Sequence, residues 1–77
     1  MMTPAQVRMA RAALRWSVRQ LAERTGVADS TILRFETDKG SILASNLGRL
    51  QDALEQAGIA FLPADSSGGP GVRFTKP

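Results

Sequence analysis

Cysteine, histidine and tyrosine are all absent from this 77-residue sequence. Without cysteine the chain can form neither a disulfide framework nor a thiolate metal site, and the absence fits a reducing compartment. Without histidine it lacks the commonest general base and the commonest metal ligand. It also has no glycine-rich phosphate loop between a strand and a helix, and no paired acidic residues. We therefore expect no catalytic residue, no metal, no cofactor and no enzymatic activity.

Long hydrophobic runs are missing as well. The apolar stretches fall far short of the roughly 18 residues that a membrane span needs, and the N-terminus has no charged-then-apolar export signal. These absences predict a cytoplasmic protein without a membrane partner. A chain of 77 residues predicts one small domain, whose core gives little net stability unless the helices pack well or the chain dimerises.

The charge balance is modestly basic, with ten Lys and Arg against seven Asp and Glu. A positive surface suits a nucleic-acid partner because neutralising phosphates releases counterions. Many ordinary domains are equally basic, so the net charge alone does not identify a partner. The positions of individual charged residues must therefore identify the partner.

Two similar start signals precede the first two predicted helices. Thr3 is followed three residues later by Gln6, and Ser17 is followed three residues later by Gln20. In such a capping box the hydroxyl accepts from the N3 amide while the glutamine reaches back to the cap. We therefore predict a first helix over about residues 4–15 and a second that starts after Ser17.

The segment from Ser17 to Glu36 places two short helices around Gly26. Glycine has no Cβ penalty at positive φ, so Gly26 ends the second helix after about eight residues. The third helix then begins near Ala28 or Asp29. This spacing is what a helix-turn-helix needs to project one helix away from its own core.

The third helix has two different faces. At 100° per residue, Ile32 and Phe35 lie on one side, whereas Ser30, Arg34 and Thr37 project roughly opposite. The apolar side predicts burial, and the polar side predicts an exposed surface.

The remainder of the chain predicts a fourth helix and a hairpin. Leucines and alanines keep helical spacing from about residue 45 to 57, and Gly58 ends the helix. Two short alternating runs follow, separated by the turn-rich stretch PADSSGGPG, which predicts a small β-hairpin. A lone hairpin is marginal, so it should lie on the helices or extend the sheet of a second chain. We therefore divide the chain into a helix-turn-helix part, 1–58, and a hairpin part, 59–77, the latter a candidate dimerisation element.

The residues LAERTGVADSTILRFE, preceded by RAALRWS, resemble the helix-turn-helix of the phage lambda repressor and Cro family, also called the XRE family. The resemblance covers about residues 5–58. It implies a mainly α, four- to five-helix lambda-repressor-like domain, here with a small C-terminal β-hairpin as in short bacterial members. It further implies a homodimer on double-stranded DNA with a palindromic operator, the third helix lying in the major groove.

The resemblance also implies a structural ion pair. Arg11 shares a stripe of the first helix with Val7 and Leu14, where an unpaired charge is costly. Glu36 matches the acidic position that pairs with a first-helix arginine in this family, and bidentate geometry suits such a site. The alternative is that Arg11 reaches a phosphate.

Two positions depart from the family pattern. Val18 stands where the family often has a glutamine that contacts phosphate and braces a base-reading side chain. The cap of the third helix falls on Ala28, where serine or threonine is usual. We therefore expect Asp29 to take over the cap and to shift the helix start by one residue.

Three outward residues are candidate base contacts. Arg34 matches a family base contact and can donate twice to guanine O6 and N7, the alternative being a solvated arginine. Ser30 suits a base edge or a phosphate, or its hydroxyl satisfies the first helical turn. Asp29 either accepts from cytosine N4 or simply caps the helix.

Four residues are candidate phosphate contacts: Ser17, Arg19, Thr31 and Lys39. Ser17 opens a helix whose free N–H groups and positive dipole end favour an anion. Thr31 also suits a thymine methyl group, and Arg19 and Lys39 have ordinary solvation as their alternative.

Together these residues predict a sequence-specific transcriptional regulator that represses by occluding polymerase. Two alternatives stay open. The first alternative is the antitoxin of a toxin–antitoxin pair, in which the segment from Ile59 onward engages a small toxin protein. The second is a protein-interaction module that kept the fold and lost DNA binding. Val18 and Asp29 are the features that favour the interaction module.

Overall fold

The computed structural model describes residues 2–76. That part of the chain forms four α-helices followed by a two-stranded antiparallel sheet, which confirms the predicted fold class. The elements are α1 (Pro4–Leu14), α2 (Val18–Thr25), α3 (Asp29–Glu36), α4 (Ala44–Gln56), β1 (Ile59–Leu62) and β2 (Gly71–Phe74).

Both predicted capping boxes form. The Gln6 amide N–H donates to the Thr3 hydroxyl at 3.2 Å, and the Thr3 N–H donates to the Gln6 side chain at 2.9 Å. Ser17 and Gln20 repeat the arrangement at 3.0 and 2.8 Å. Gly26 ends α2 in the left-handed conformation with φ of 76°. The predicted starts of α1 and α2 and the predicted end of α2 are therefore confirmed.

Helix α3 begins at Asp29, within the predicted range, but its cap differs from the prediction. Ala28 is the N-cap, with extended φ and ψ of −60° and 140° and no side-chain cap, and Asp29 is the first helical residue. The Ile32 N–H donates to the Ala28 carbonyl at 3.1 Å, which is the first intrahelical bond. The expected cap by Asp29 is wrong because Asp29 is already a helical residue, which leaves the cap position to Ala28. The Asp29 carboxylate instead lies in the first turn, near the positive end of the helix dipole.

One hydrophobic core joins the helices and the hairpin. Its fully buried members come from every helix and from β1, and they include Val7, Leu21, Ile32, Leu50 and Ile59. Ile59 is only 1% exposed, so the hairpin closes the same core as the helix-turn-helix.

A buried glutamine attaches the hairpin to α1. The strands pair Ile59 with Phe74 and Leu62 with Gly71. The Gln6 side-chain amide donates to the carbonyl oxygens of Leu62 and Gly71, at 2.9 Å each. Gln6 therefore caps its own helix and ties both strands to it, a second role that the capping pattern does not reveal.

Candidate nucleic-acid interface

Helix α3 has one anchored face and one exposed face. Ile32 is fully buried and Phe35 packs half-buried against the core. Ser30, Leu33 and Arg34 are exposed on the other side, and the apolar Leu33 side chain is 52% exposed. Within the described residues this outer face is therefore open.

The last turn of α3 is fixed by two arginines of α1. The Arg11 guanidinium donates from Nε and Nη2 to the two carboxylate oxygens of Glu36, at 2.7 Å each. Arg8 donates to the Glu36 main-chain carbonyl. The structure thus brings together the two residues of the expected ion pair, and Arg8 adds a contact that sequence reasoning missed.

The anchor pairs a buried charge. The Glu36 side chain is only 2% exposed, and a buried carboxylate is costly without a hydrogen-bonded partner. The hydrogen bond to Glu36 raises the pKa of Arg11 above its ordinary value, against the opposing effect of burial. Arg11 also donates from Nη1 to the Trp16 carbonyl at 3.0 Å, which links the α1–α2 turn to the same site. One guanidinium therefore links α3 to α1 and to the α1–α2 turn.

A groove of about 470 Å³ separates the start of α2 from the outer face of α3. Its lining residues are Ser17, Val18 and Arg19 from the α2 end and Asp29, Ser30 and Leu33 from α3. Four of the seven predicted DNA contacts therefore line one groove. Thr31, Arg34 and Lys39 are not among its lining residues.

Two apolar side chains also line the groove. These are Val18 and Leu33, and Val18 also packs against the core. An apolar side chain in the major groove contacts the thymine C5-methyl group. From its place on the polar half of the third helix, the sequence predicts that Leu33 is partly exposed or touches the loop at Ile42, with a thymine-methyl contact as the alternative.

The Ser17 hydroxyl has one role already filled. It accepts from the Gln20 N–H, and the Ser17 N–H donates to the Gln20 side chain. The hydroxyl proton and the backbone N–H groups that follow in the first turn of α2 are what remain for an anion.

Arg34 and Lys39 lie together at the other end of α3. The Lys39 N–H donates to the Arg34 carbonyl at 2.9 Å, so the chain after α3 turns back toward Arg34. Both side chains are exposed, and Thr31 is half-buried at the flank of α3. The candidate contacts therefore form two groups, the α2–α3 groove and the Arg34 end.

Residues 2–76 contain no group of three or more histidine, cysteine, aspartate or glutamate side chains placed to bind a metal ion. None of the four helices combines the length and the apolar character needed to cross a bilayer.

Comparison with known proteins agrees with this geometry. The chain matches the family model HTH_3, described as helix-turn-helix, over residues 7–58, which is more than half of the sequence. No curated protein matches the chain. The matched region runs from within α1 to the end of α4 and includes the outer face of α3. The chain therefore belongs to the XRE, or lambda-repressor-type, helix-turn-helix family of DNA-binding regulators.

Proposed function

We propose that this protein is a sequence-specific repressor that binds double-stranded DNA as a homodimer and inserts α3 into the major groove. The observation that carries the proposal is the asymmetry of α3. Its inner face is held by Ile32 and by the Arg11–Glu36 pair, while Ser30, Leu33 and Arg34 are exposed. A rigid helix with one open polar face is what direct readout of base edges requires.

Base reading is assigned to Arg34, Ser30 and Asp29. Arg34 has the donors for guanine O6 and N7, and Ser30 suits either a base edge or a nearby phosphate. Asp29, which does not cap α3, has a free carboxylate on the groove and can accept from cytosine N4. Leu33 and Val18 add an apolar surface for a thymine methyl group.

Phosphate binding is assigned to residues on both sides of that face. Ser17 and Arg19 lie at the positive end of α2, and Lys39 lies beyond the C-terminal end of α3. Thr31 lies at the flank of α3. Contacts at both ends of the recognition helix would fix its register on the duplex.

The small size of the domain and the exposed end of its hairpin support a dimer. One recognition helix covers one half-site, and two copies related by a twofold axis read an inverted repeat. The hairpin of residues 59–77 is our candidate for the dimer contact, since Phe74 is 52% exposed on β2. A dimer on the operator would exclude polymerase and so repress transcription.

Selection of bound duplexes from a randomised pool tests this proposal. We expect enrichment of an inverted repeat whose half-site centres lie about one helical turn, or 10 base pairs, apart. A selection without enrichment would contradict the proposal and favour a protein-interaction module. The matched control is the Arg34→Ala variant, which should enrich a site that has lost its preference for guanine at one position of each half-site.

A further inference from the structure

The guanidinium of Arg34 lies against Gly40, in the loop between α3 and α4. A Cβ built on Gly40 would lie 3.0 Å from Nη2 of Arg34 and 3.4 Å from its Cζ and Nε. These are the three nearest atoms to that position, and all belong to one guanidinium. A separation of 3.0 Å is tighter than an ordinary van der Waals contact, so a Cβ at position 40 would shift the Arg34 guanidinium by a few tenths of an ångström.

The backbone gives no other reason for glycine at this position. Glycine is needed where φ is positive, as at Gly26 and Gly58. Gly40 has no such conformation. The space occupied by the Arg34 guanidinium is therefore the local feature that a side chain at position 40 would violate.

The loop and Arg34 are joined at two points. The Lys39 N–H donates to the Arg34 carbonyl, and the next residue, Gly40, receives the Arg34 side chain. An arginine head group is otherwise free to sample many rotamers, and ordering it on binding costs affinity. The missing side chain at position 40 leaves the guanidinium room to lie on the loop, and a preference for that position would lower the cost.

We propose that Gly40 is a positioning residue for DNA recognition, holding the exposed guanidinium of Arg34 in the orientation from which it reads guanine. This inference rests on the proposed function of Arg34. Gly40 itself touches no base in this arrangement and acts only through Arg34. It makes the loop after α3 a determinant of specificity at the base pair that Arg34 reads.

The test compares Gly40→Ala with Gly48→Ala, at a glycine of α4 that also lacks positive φ and has no atom within 4 Å of an added Cβ. We expect Gly40→Ala to weaken binding to the selected operator by about 2- to 10-fold, with scrambled duplex unchanged. Gly40→Val should weaken operator binding further. Gly48→Ala should leave both affinities unchanged.

Two further readouts separate positioning from a general structural effect. The NMR signal of the Arg34 Nε–H group should shift in free Gly40→Ala protein, while the thermal midpoint stays within about 2 °C because the displaced atoms end a flexible side chain. In an Arg34→Ala background, Gly40→Ala should cause no additional loss of operator affinity. The inference is overturned if the Nε–H signal does not move, if operator binding is unchanged or tighter, or if the loss persists without Arg34.

The failure of this inference is distinguishable from failure of the proposed function. The proposed role of Arg34 fails if the unsubstituted protein binds operator and scrambled duplex equally well. It also fails if the Arg34→Ala variant discriminates between the two duplexes as well as the unsubstituted protein. If Arg34→Ala loses discrimination and Gly40→Ala retains it in full, only the role of Gly40 fails.

Discussion

Arg11 in α1 and Glu36 at the end of α3 are 25 positions apart in the sequence and are joined by two hydrogen bonds of 2.7 Å. The carboxylate end of the pair is buried, since the Glu36 side chain is only 2% exposed. Because Arg11 also binds the Trp16 carbonyl, a single side chain fixes α3 to α1 and to the turn before α2. A residue outside the motif therefore connects the last helix of the motif to the turn before its first helix.

Removing Arg11 should destabilise the protein strongly. Arg11→Ala leaves the Glu36 carboxylate buried without its partner, and we expect a loss of about 3 kcal/mol in the free energy of unfolding. Urea denaturation at fixed protein concentration measures it. The double variant Arg11→Leu with Glu36→Leu should recover most of that loss, because apolar groups remove the unpaired charge. A loss below about 1 kcal/mol for Arg11→Ala would contradict the role of the pair.

Arg34→Ala should reduce specificity rather than general affinity for DNA. We expect operator binding to weaken by about 1–3 kcal/mol, with little change on scrambled duplex, because a bidentate guanine contact discriminates between bases. Fluorescence anisotropy on the two duplexes measures both affinities. Arg49→Ala, an exposed arginine of α4, is the matched control and should not change the ratio of the two. Equal losses on both duplexes would assign Arg34 to phosphate.

A hydroxyl at the start of α3 should stabilise the protein. Ala28 has the extended conformation of an N-cap but offers no side-chain acceptor. Ala28→Ser supplies one, and we expect a gain of about 1 kcal/mol and a rise of about 4–8 °C in the thermal midpoint. Ala28→Val, which cannot cap, should give no gain. An unchanged midpoint for Ala28→Ser would show that the first-turn N–H groups of α3 are already satisfied.

The hairpin loop should carry an acid-sensitive turn. The Asp65 carboxylate accepts from the backbone N–H and the hydroxyl of Ser67 and from the Gly68 N–H, which lowers the pKa of Asp65 below its ordinary value. The stabilisation of the turn is therefore complete above the pKa that Asp65 has in the unfolded chain. It is lost as the pH falls through the lower pKa that Asp65 has in the folded protein. A carbon-13 NMR titration should give Asp65 a lower midpoint than the same residue in a peptide of residues 63–70. Equal midpoints would contradict the turn.

The parts of the fold that follow from neighbouring residues were predictable from the sequence. Thr3 with Gln6, and Ser17 with Gln20, are three residues apart, so their capping boxes depend on local geometry alone. The two faces of α3 follow from helical periodicity in the same way. The predicted start of α4 at about residue 45 differs from the observed Ala44 by one position, which is the usual uncertainty of a helix end.

The features that were missed depend on contacts distant in sequence or on backbone geometry. Gln6 binds Leu62 and Gly71, which lie 56 and 65 positions away, and periodicity carries no information about that docking. The cap of α3 was wrongly assigned to Asp29 because N-cap positions favour an acidic residue over alanine. In the structure Asp29 is already the first helical residue, so Ala28 is the N-cap. The family resemblance, rather than the spacing, supplied the partner of Arg11.

The central claim is that the outer face of α3 lies in the major groove, and site-directed alkylation tests it most directly. Because the chain has no cysteine, Leu33→Cys provides a single thiol on that face for a short tethered alkylating group. We expect adducts at guanine N7, a major-groove atom, within each half-site of the selected operator, and none from the matched Arg49→Cys variant on α4. Adducts at adenine N3 in the minor groove, or no more adducts than the Arg49→Cys variant gives, would contradict the account.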